Sequence, residues 1–131
     1  MSYQLHITST AKHDLMRVAD YIEFSLKNPD AAEQLLDTAD ELISSLSEFP
    51  ERFPLVDDPV LASWRIRFVI VNNYLAFYTI DEEKQLVIVV RFLFQITNLT
   101  YLIALLHQDL TIQKTNDTPH HPVPAFRPHK F

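Results

Sequence analysis

Arg65, Arg67 and Arg91 are the side chains of this 131-residue sequence whose types and spacing suit chemistry best. They lie in runs of strand-forming residues, "RIRFVIVNNYLAFYTI" at 65–80 and "LVIVVRFLF" at 86–94. Two guanidiniums on one face of a sheet form a receptor for an oxyanion such as phosphate or carboxylate, because each presents a planar fork of donors. Strand alternation sets which residues share a face. In the first run Trp64, Ile66, Phe68 and Ile70 oppose Arg65, Arg67, Val69 and Val71. In the last, Leu86, Ile88, Val90, Phe92 and Phe94 oppose Val87, Val89, Arg91 and Leu93. With the bulkier sets packed under helices, Arg67 and Arg91 are expected together on an uncovered, concave face. The ordinary alternative is that such arginines pair with Asp or Glu of a helix or loop. Tyr74 and Tyr78 share a face of the intervening strand, where they serve packing, hydrogen bonding or stacking on a base.

Composition restricts the rest. The sequence has no cysteine, which removes disulfides, thiolate nucleophiles and Cys-based zinc sites. It has no glycine, which removes the phosphate-cradling loops of P-loop and dinucleotide folds, so no nucleotide cofactor of those kinds is expected. A formal charge of -6 argues against generic adhesion to nucleic acid, so any such role must rest on a local cluster. The start, "MSYQLHITSTAKHD", lacks the basic and apolar regions of a signal peptide, and no apolar run is long enough to span a bilayer. A soluble, cytoplasmic protein without membrane contact is expected. His120, His121 and His129 lie in a proline-rich stretch without a carboxylate set, so no metal is expected.

The elements that must position the arginines follow from periodicity. Residues 3–8 alternate Tyr3, Leu5 and Ile7 against Gln4, His6 and Thr8, a half-buried strand. Thr10 can cap a helix running to about Lys27, with Leu15, Val18, Ala19, Ile22 and Leu26 on one face. Asn28, Pro29 and Asp30 start a second helix carrying Ala32, Leu35, Leu36, Ala39, Leu42, Ile43 and Leu46 on one side. The short connection makes the two an antiparallel hairpin. Residues 48–59, with three prolines, read as a loop pinned by Phe49, Phe53 and Leu55. Strands follow at about 64–71, 74–80 and 86–94, with a turn at Asp81–Lys84 that is not a tight two-residue one. "ITNLTYLIALLHQ" reads as a short helix with Leu99, Leu102, Ile103 and Leu106 on one face. The predicted fold is a two-layer α+β domain over residues 1–107: an N-terminal strand, a helical hairpin, then a three-stranded antiparallel meander and the short C-terminal helix. Residues 108–131, rich in Pro and His, read as a disordered tail. Phe126 and Phe131 suit that tail to short-segment recognition.

Three stretches together resemble the RelE/ParE superfamily of type II toxin–antitoxin toxins: "TSTAKHDLMRVADYIEFSLKNPDAAEQLLD" at 8–37, "FPERFPLVDD" at 49–58 and "RIRFVIVNNYLAFYTIDEEKQLVIVVRFLF" at 65–94. The resemblance implies a RelE-like fold and a small bacterial toxin held inactive by a cognate antitoxin protein. RelE-like members cut ribosome-bound mRNA: the 2′-hydroxyl attacks the adjacent phosphate, while the protein positions the strands, stabilises charge and moves protons. ParE-like members bind DNA gyrase and need no catalytic set. Carried over by position, Arg67 and Arg91 are the catalytic arginines that would hold the scissile phosphate, with Arg65, Tyr74 and Tyr78 as substrate-binding neighbours. Where relatives carry a basic pair and an aromatic or histidine after "RFLF", this chain has Gln95, Ile96, Thr97, Asn98 and Leu99. Arg65 stands where relatives commonly have glycine. Tyr101 and His107 are the substitutes left for the acid or base. Residues 1–94 hold 8 Lys plus Arg against 15 Asp plus Glu, a net of -7, which opposes steering toward the polyanionic ribosome. Three functions stay open: an mRNA-cleaving toxin, a ParE-like toxin acting on gyrase by contact, and a decayed member that only binds antitoxin.

Overall fold

The computed structural model describes residues 2–95 together with Ala104. The chain runs β1 (Gln4–Ile7), α1 (Ser9–Asp20), a π-helical turn (Tyr21–Ser25), α2 (Pro29–Ser44), α3 (Pro59–Ser63), β2 (Arg67–Val71), β3 (Tyr74–Asp81) and β4 (Leu86–Phe94). The sheet has the order β1-β4-β3-β2. β2, β3 and β4 form the expected antiparallel meander, and β1 adds to its edge parallel to β4, with Ile7 beside Val89. A parallel partner for β1 requires a long crossover, which α1 and α2 supply.

The helix starts follow cap chemistry. Thr8, not Thr10, caps α1: its Oγ1 accepts from the N–H of Ala11 at 3.1 Å. The same hydroxyl donates to the carbonyl of Val90 at 3.3 Å, and the Thr8 N–H donates to that of Val89 at 3.0 Å. One buried threonine therefore both opens the helix and fixes its first turn on β4. Thr10 lies inside α1 as its second residue, two positions too late to cap it. Asn28 caps α2 as expected, its Oδ1 accepting from Ala31 at 3.1 Å, with Pro29 in the first turn. α1 ends earlier than its apolar period suggests, because the chain widens into the π turn before Leu26.

The faces of the sheet are the reverse of the sequence expectation. The core beneath the helices contains Val69, Val71, Ala76, Tyr78, Val87, Val89 and Phe92, packed on Ala11, Leu15, Leu35, Ala39 and Ile43. The bulkier Ile66 and Phe77 join Val56, Leu61 and Val90 in a second cluster, flanked by Trp64, Phe68, Leu75, Ile88 and Leu93. Small β-branched residues leave room on the helix side for the Tyr78 and Phe92 rings beneath alanine-studded helices, while Trp64, Phe68 and Phe77 pack on the other side. A β-bulge between Phe77 and Tyr78 then breaks the alternation in β4. The helix-side residues fall at 87, 89 and 92, so Phe92 rejoins a face that strict period two denies it. Within the 49–66 segment a 3₁₀ turn (Pro50–Arg52) and α3 interrupt the expected featureless stretch: Val56, Leu61 and Ile66 cover part of the second face, whereas the 3₁₀ turn meets the helix-side residues Tyr78 and Arg67. Asp58 caps α3 by accepting from Leu61 at 2.9 Å. Phe49 does not pin this segment: it is 74% exposed, and Pro50 and Val56 are the buried anchors.

Without glycine, every left-handed backbone position falls on a residue with a Cβ: Lys27, Phe49, Arg65, Asn72 and Gln85 have φ between 48° and 61°. Asn72 turns the β2–β3 hairpin, and Gln85 ends the Asp81–Lys84 turn, where the N–H of Lys84 donates to Asp81 Oδ1 at 3.2 Å.

Candidate functional site

The arginines separate into two environments. Arg91 lies on β4 under α1, where its Nε donates to Asp14 Oδ2 at 2.7 Å and its Nη2 to Asp14 Oδ1 at 3.1 Å. Asp14 Oδ2 also accepts the Phe92 N–H at 3.0 Å. The side chains are 12% and 4% exposed respectively. A carboxylate buried to that degree needs both a counter-charge and filled lone pairs, and the guanidinium fork with one backbone N–H provides them. This pair bolts α1 to the sheet.

Arg67 begins β2 at the far side of β3. Its Nη1 donates to the carbonyls of Glu51, at 3.1 Å, and Phe53, at 2.6 Å. Arg67 stands opposite Tyr78 in the β2–β3 register, and Tyr78, with no exposed surface, donates its hydroxyl to the carbonyl of Pro50. Burial pushes the Tyr78 phenol up to about 12, against an opposing pull from the Arg67 and Arg52 charges. Arg52 supports the same turn: its Nη1 donates to the carbonyls of Ser45, Glu48 and Phe49, and its Nη2 to Ser45 Oγ at 2.7 Å. Its guanidinium also sits 4.6 Å from the centre of the Phe53 ring. These bonds gather the carbonyls of the C-cap Ser45 and of the turn that follows α2 around one guanidinium.

Arg65 and Arg67 line one cleft of about 230 Å³ together with Glu51, Ile80 and Glu82. Glu82 there accepts the Tyr3 hydroxyl at 2.9 Å, which raises the Tyr3 pKa. Two arginines facing two glutamates make a mixed-charge lip, not a uniformly positive oxyanion hole.

The structure thus brings Arg65 and Arg67 together and keeps Arg91 apart, with β3 between them. The expected shared, uncovered face for Arg67 and Arg91 is corrected: Arg67 is on the face of Val69 and Val71, which packs under the helices, and Arg91 is held by Asp14. Tyr78 is corrected as a stacking platform, because a ring with no exposed surface cannot receive a base. Tyr74 is at the opposite end of β3, its ring 5.4 Å from that of Phe92 and 5.3 Å from that of Phe94. Tyr101 and His107, with the rest of the expected C-terminal helix but for Ala104 and the stretch expected as a tail, lie outside the described residues. Among the described residues no group of His, Cys, Asp or Glu is placed to hold a metal ion, and no helix is long and apolar enough to cross a membrane.

Sequence reasoning missed Asp14 and Arg52. Asp14 had a signal: it falls in the stripe of Ala11, Leu15 and Ala19, where a carboxylate implies a cation on the facing element. Arg52 had a weaker one, a base shortly after a helix end that lacks a basic last turn.

Solved structures share this fold, among them two toxin–antitoxin systems. The chromosomal ParDE toxin–antitoxin system from P. aeruginosa aligns with a TM-score of 0.58 at 15% identity, covering 71% of this chain and 96% of that one. The toxin–antitoxin complex RelBE2 from Mycobacterium tuberculosis aligns with a TM-score of 0.50 at 22% identity, covering 72% and 92%. No curated protein matches the sequence. The family described as the ParE toxin of the type II toxin–antitoxin system, parDE, matches residues 5–99, which takes in the elements from β1, but for its first residue, through β4. The chain therefore belongs to the ParE toxin family of type II toxin–antitoxin systems.

Proposed function

We propose that this protein arrests growth by binding a protein target, DNA gyrase, and that a cognate antitoxin chain holds it inactive. The observation that carries the reading is the pairing of Arg91 with buried Asp14. A guanidinium used to stabilise a transition state must be aimed at the charge that develops there, and Arg91 spends two donors on a structural carboxylate. The net charge of -7 over residues 1–94 also opposes approach to an RNA surface. A toxin that works by contact needs neither. The antitoxin follows from family membership and from the two-chain systems that share the fold.

A second reading, cleavage of ribosome-bound mRNA, is supported by the Arg65–Arg67 cleft, where two guanidiniums lie within reach of one ligand. The two readings separate in a supercoiling assay with purified gyrase and this protein. Contact poisoning gives lost supercoiling and trapped DNA breaks in vitro, with an SOS response in cells. Unaffected gyrase together with a prompt halt in translation would overturn the first reading in favour of the second. A protein that does neither, yet co-elutes with the antitoxin, would be a decayed member.

A further inference from the structure

Phe49 is the most exposed large apolar side chain among the described residues, at 74%. Folding alone gives no reason for it. Phe49 holds φ 48° and ψ 58°, in the left-handed region, directly before Pro50. A Cβ is strained there, and a following proline favours an extended backbone instead. The other four left-handed residues, Lys27, Arg65, Asn72 and Gln85, carry side chains suited to water, and Phe49 is the exception. A bulky ring at a strained, solvated position adds nothing to the core, and an outlier of this kind points to contact with something outside the fold.

The turn that carries Phe49 is held from within. Arg52 donates to the carbonyl of Phe49 at 3.2 Å and to those of Ser45 and Glu48, while the Tyr78 hydroxyl donates to the carbonyl of Pro50. The ring therefore projects from a fixed backbone, which leaves little ordering entropy to lose on contact.

Two residues on, Glu51 lines the cleft with Arg65, Arg67 and Glu82. The formal charges of these four cancel, whereas residues 1–94 as a whole carry a net of -7. A polyanion meets no positive surplus at this lip, but a protein surface of mixed charge finds counter-charges of both signs. An aromatic anchor beside a polar rim that includes arginine is the composition of a protein-contact hot spot.

We infer, resting on the contact reading above, that Phe49 is the anchor by which this protein grips its protein target. The ring enters an apolar pocket of that target, and the cleft of Arg65, Arg67, Glu51 and Glu82 forms ion pairs with groups of both signs at the pocket's rim.

Phe49→Gly and Phe49→Asn remove the ring and suit the left-handed backbone, so both should fold with a denaturation midpoint no lower than that of the parent chain. In supercoiling titrations with purified gyrase, each should need at least about tenfold more protein than the parent for equal inhibition, while Phe49→Tyr, which keeps the ring, stays within about threefold. Co-elution of all three with the antitoxin should be unchanged. A parent chain that leaves gyrase unaffected would sink the contact reading and this surface with it. Inhibition by the parent that both ring-free variants match would overturn the role of Phe49 alone. Lost antitoxin co-elution in variants that still inhibit gyrase would give the surface to the antitoxin and overturn it as well, and unfolding of both variants would make Phe49 a structural residue.

Discussion

Arg91 and Arg67 occupy strands one apart in the same sheet, and their fates differ. Arg91 faces a carboxylate embedded in the apolar stripe of α1 and is nearly sealed from water. Arg67 meets only backbone carbonyls of the 3₁₀ turn, at the lip of a cleft that Arg65 shares. A guanidinium with a buried counter-ion is a structural bolt, because removing it strands a charge. One bonded to neutral carbonyls near solvent keeps charge to offer a ligand. The division makes the β4 side of the sheet the rigid frame and the β2 side the place where this chain can meet something else.

The contrast is broken most sharply by Arg91→Ala, which leaves buried Asp14 without its counter-charge and with the Phe92 N–H as its remaining partner of those described above. A loss of about 3–5 kcal/mol is expected in chemical denaturation, with partial recovery in Arg91→Lys, which keeps the charge without the fork. A loss under about 1 kcal/mol would mean that the pair is solvated and the bolt illusory.

Tyr78 tests the seam between the two regions. Its folded-state pKa, about 12, is above the usual 10.0, so the buried neutral phenol contributes stability that is whole below pH 10 and is lost as pH rises toward 12. Tyr74, also raised by burial, acts in the same direction. The alkaline fall should amount to about 2 kcal/mol from Tyr78 alone and be absent in Tyr78→Phe, which at neutral pH costs about 1 kcal/mol for the lost bond to Pro50. Equal alkaline slopes for the two proteins would contradict the burial of this hydroxyl.

Arg67→Ala, by contrast with Arg91→Ala, is expected to cost only about 1 kcal/mol, with faster amide exchange confined to residues 49–55. A loss as large as that of Arg91→Ala would erase the distinction between the two arginines.

The smallest effect concerns the backbone. Arg65 and Phe49 hold φ of 61° and 48°, where a Cβ is strained and glycine is not. Arg65→Gly and Phe49→Gly should each change stability by less than about 1 kcal/mol, toward stabilisation, because relief of strain is offset in part by the entropy of the unfolded chain. A clear destabilisation at Arg65 would show that its side chain contributes to the cleft more than its backbone costs.

The element order and the caps at Asn28 and Pro29 were legible in the sequence because they rest on local rules, periods of two and of three to four and a preference for particular residues at helix starts. The faces were not. Assigning the bulky residues of β2 and β4 to the helix side treats size as a proxy for burial, whereas here Val69, Val71, Val87 and Val89 face the helices and Ile66, Phe68 and Ile88 go to the second cluster. The bulge at Phe77 and Tyr78 is a pairing property of two strands, invisible in either alone. The candidate site suffered from the same cause: Arg91 was identified, but its partner lies 77 residues away on a helix, and only tertiary contact reveals that its charge is already used. Arg65 and Arg67, two residues apart at the start of β2, needed no such information and do line one cleft.

The most direct test of the contact mechanism is transcriptome-wide mapping of RNA 5′ ends shortly after expression is induced without antitoxin, with Arg67→Ala alongside. Arrested growth with no new ends inside translated frames is the expected result. New ends in those frames that vanish in Arg67→Ala would contradict it and make the Arg65–Arg67 cleft a nuclease site.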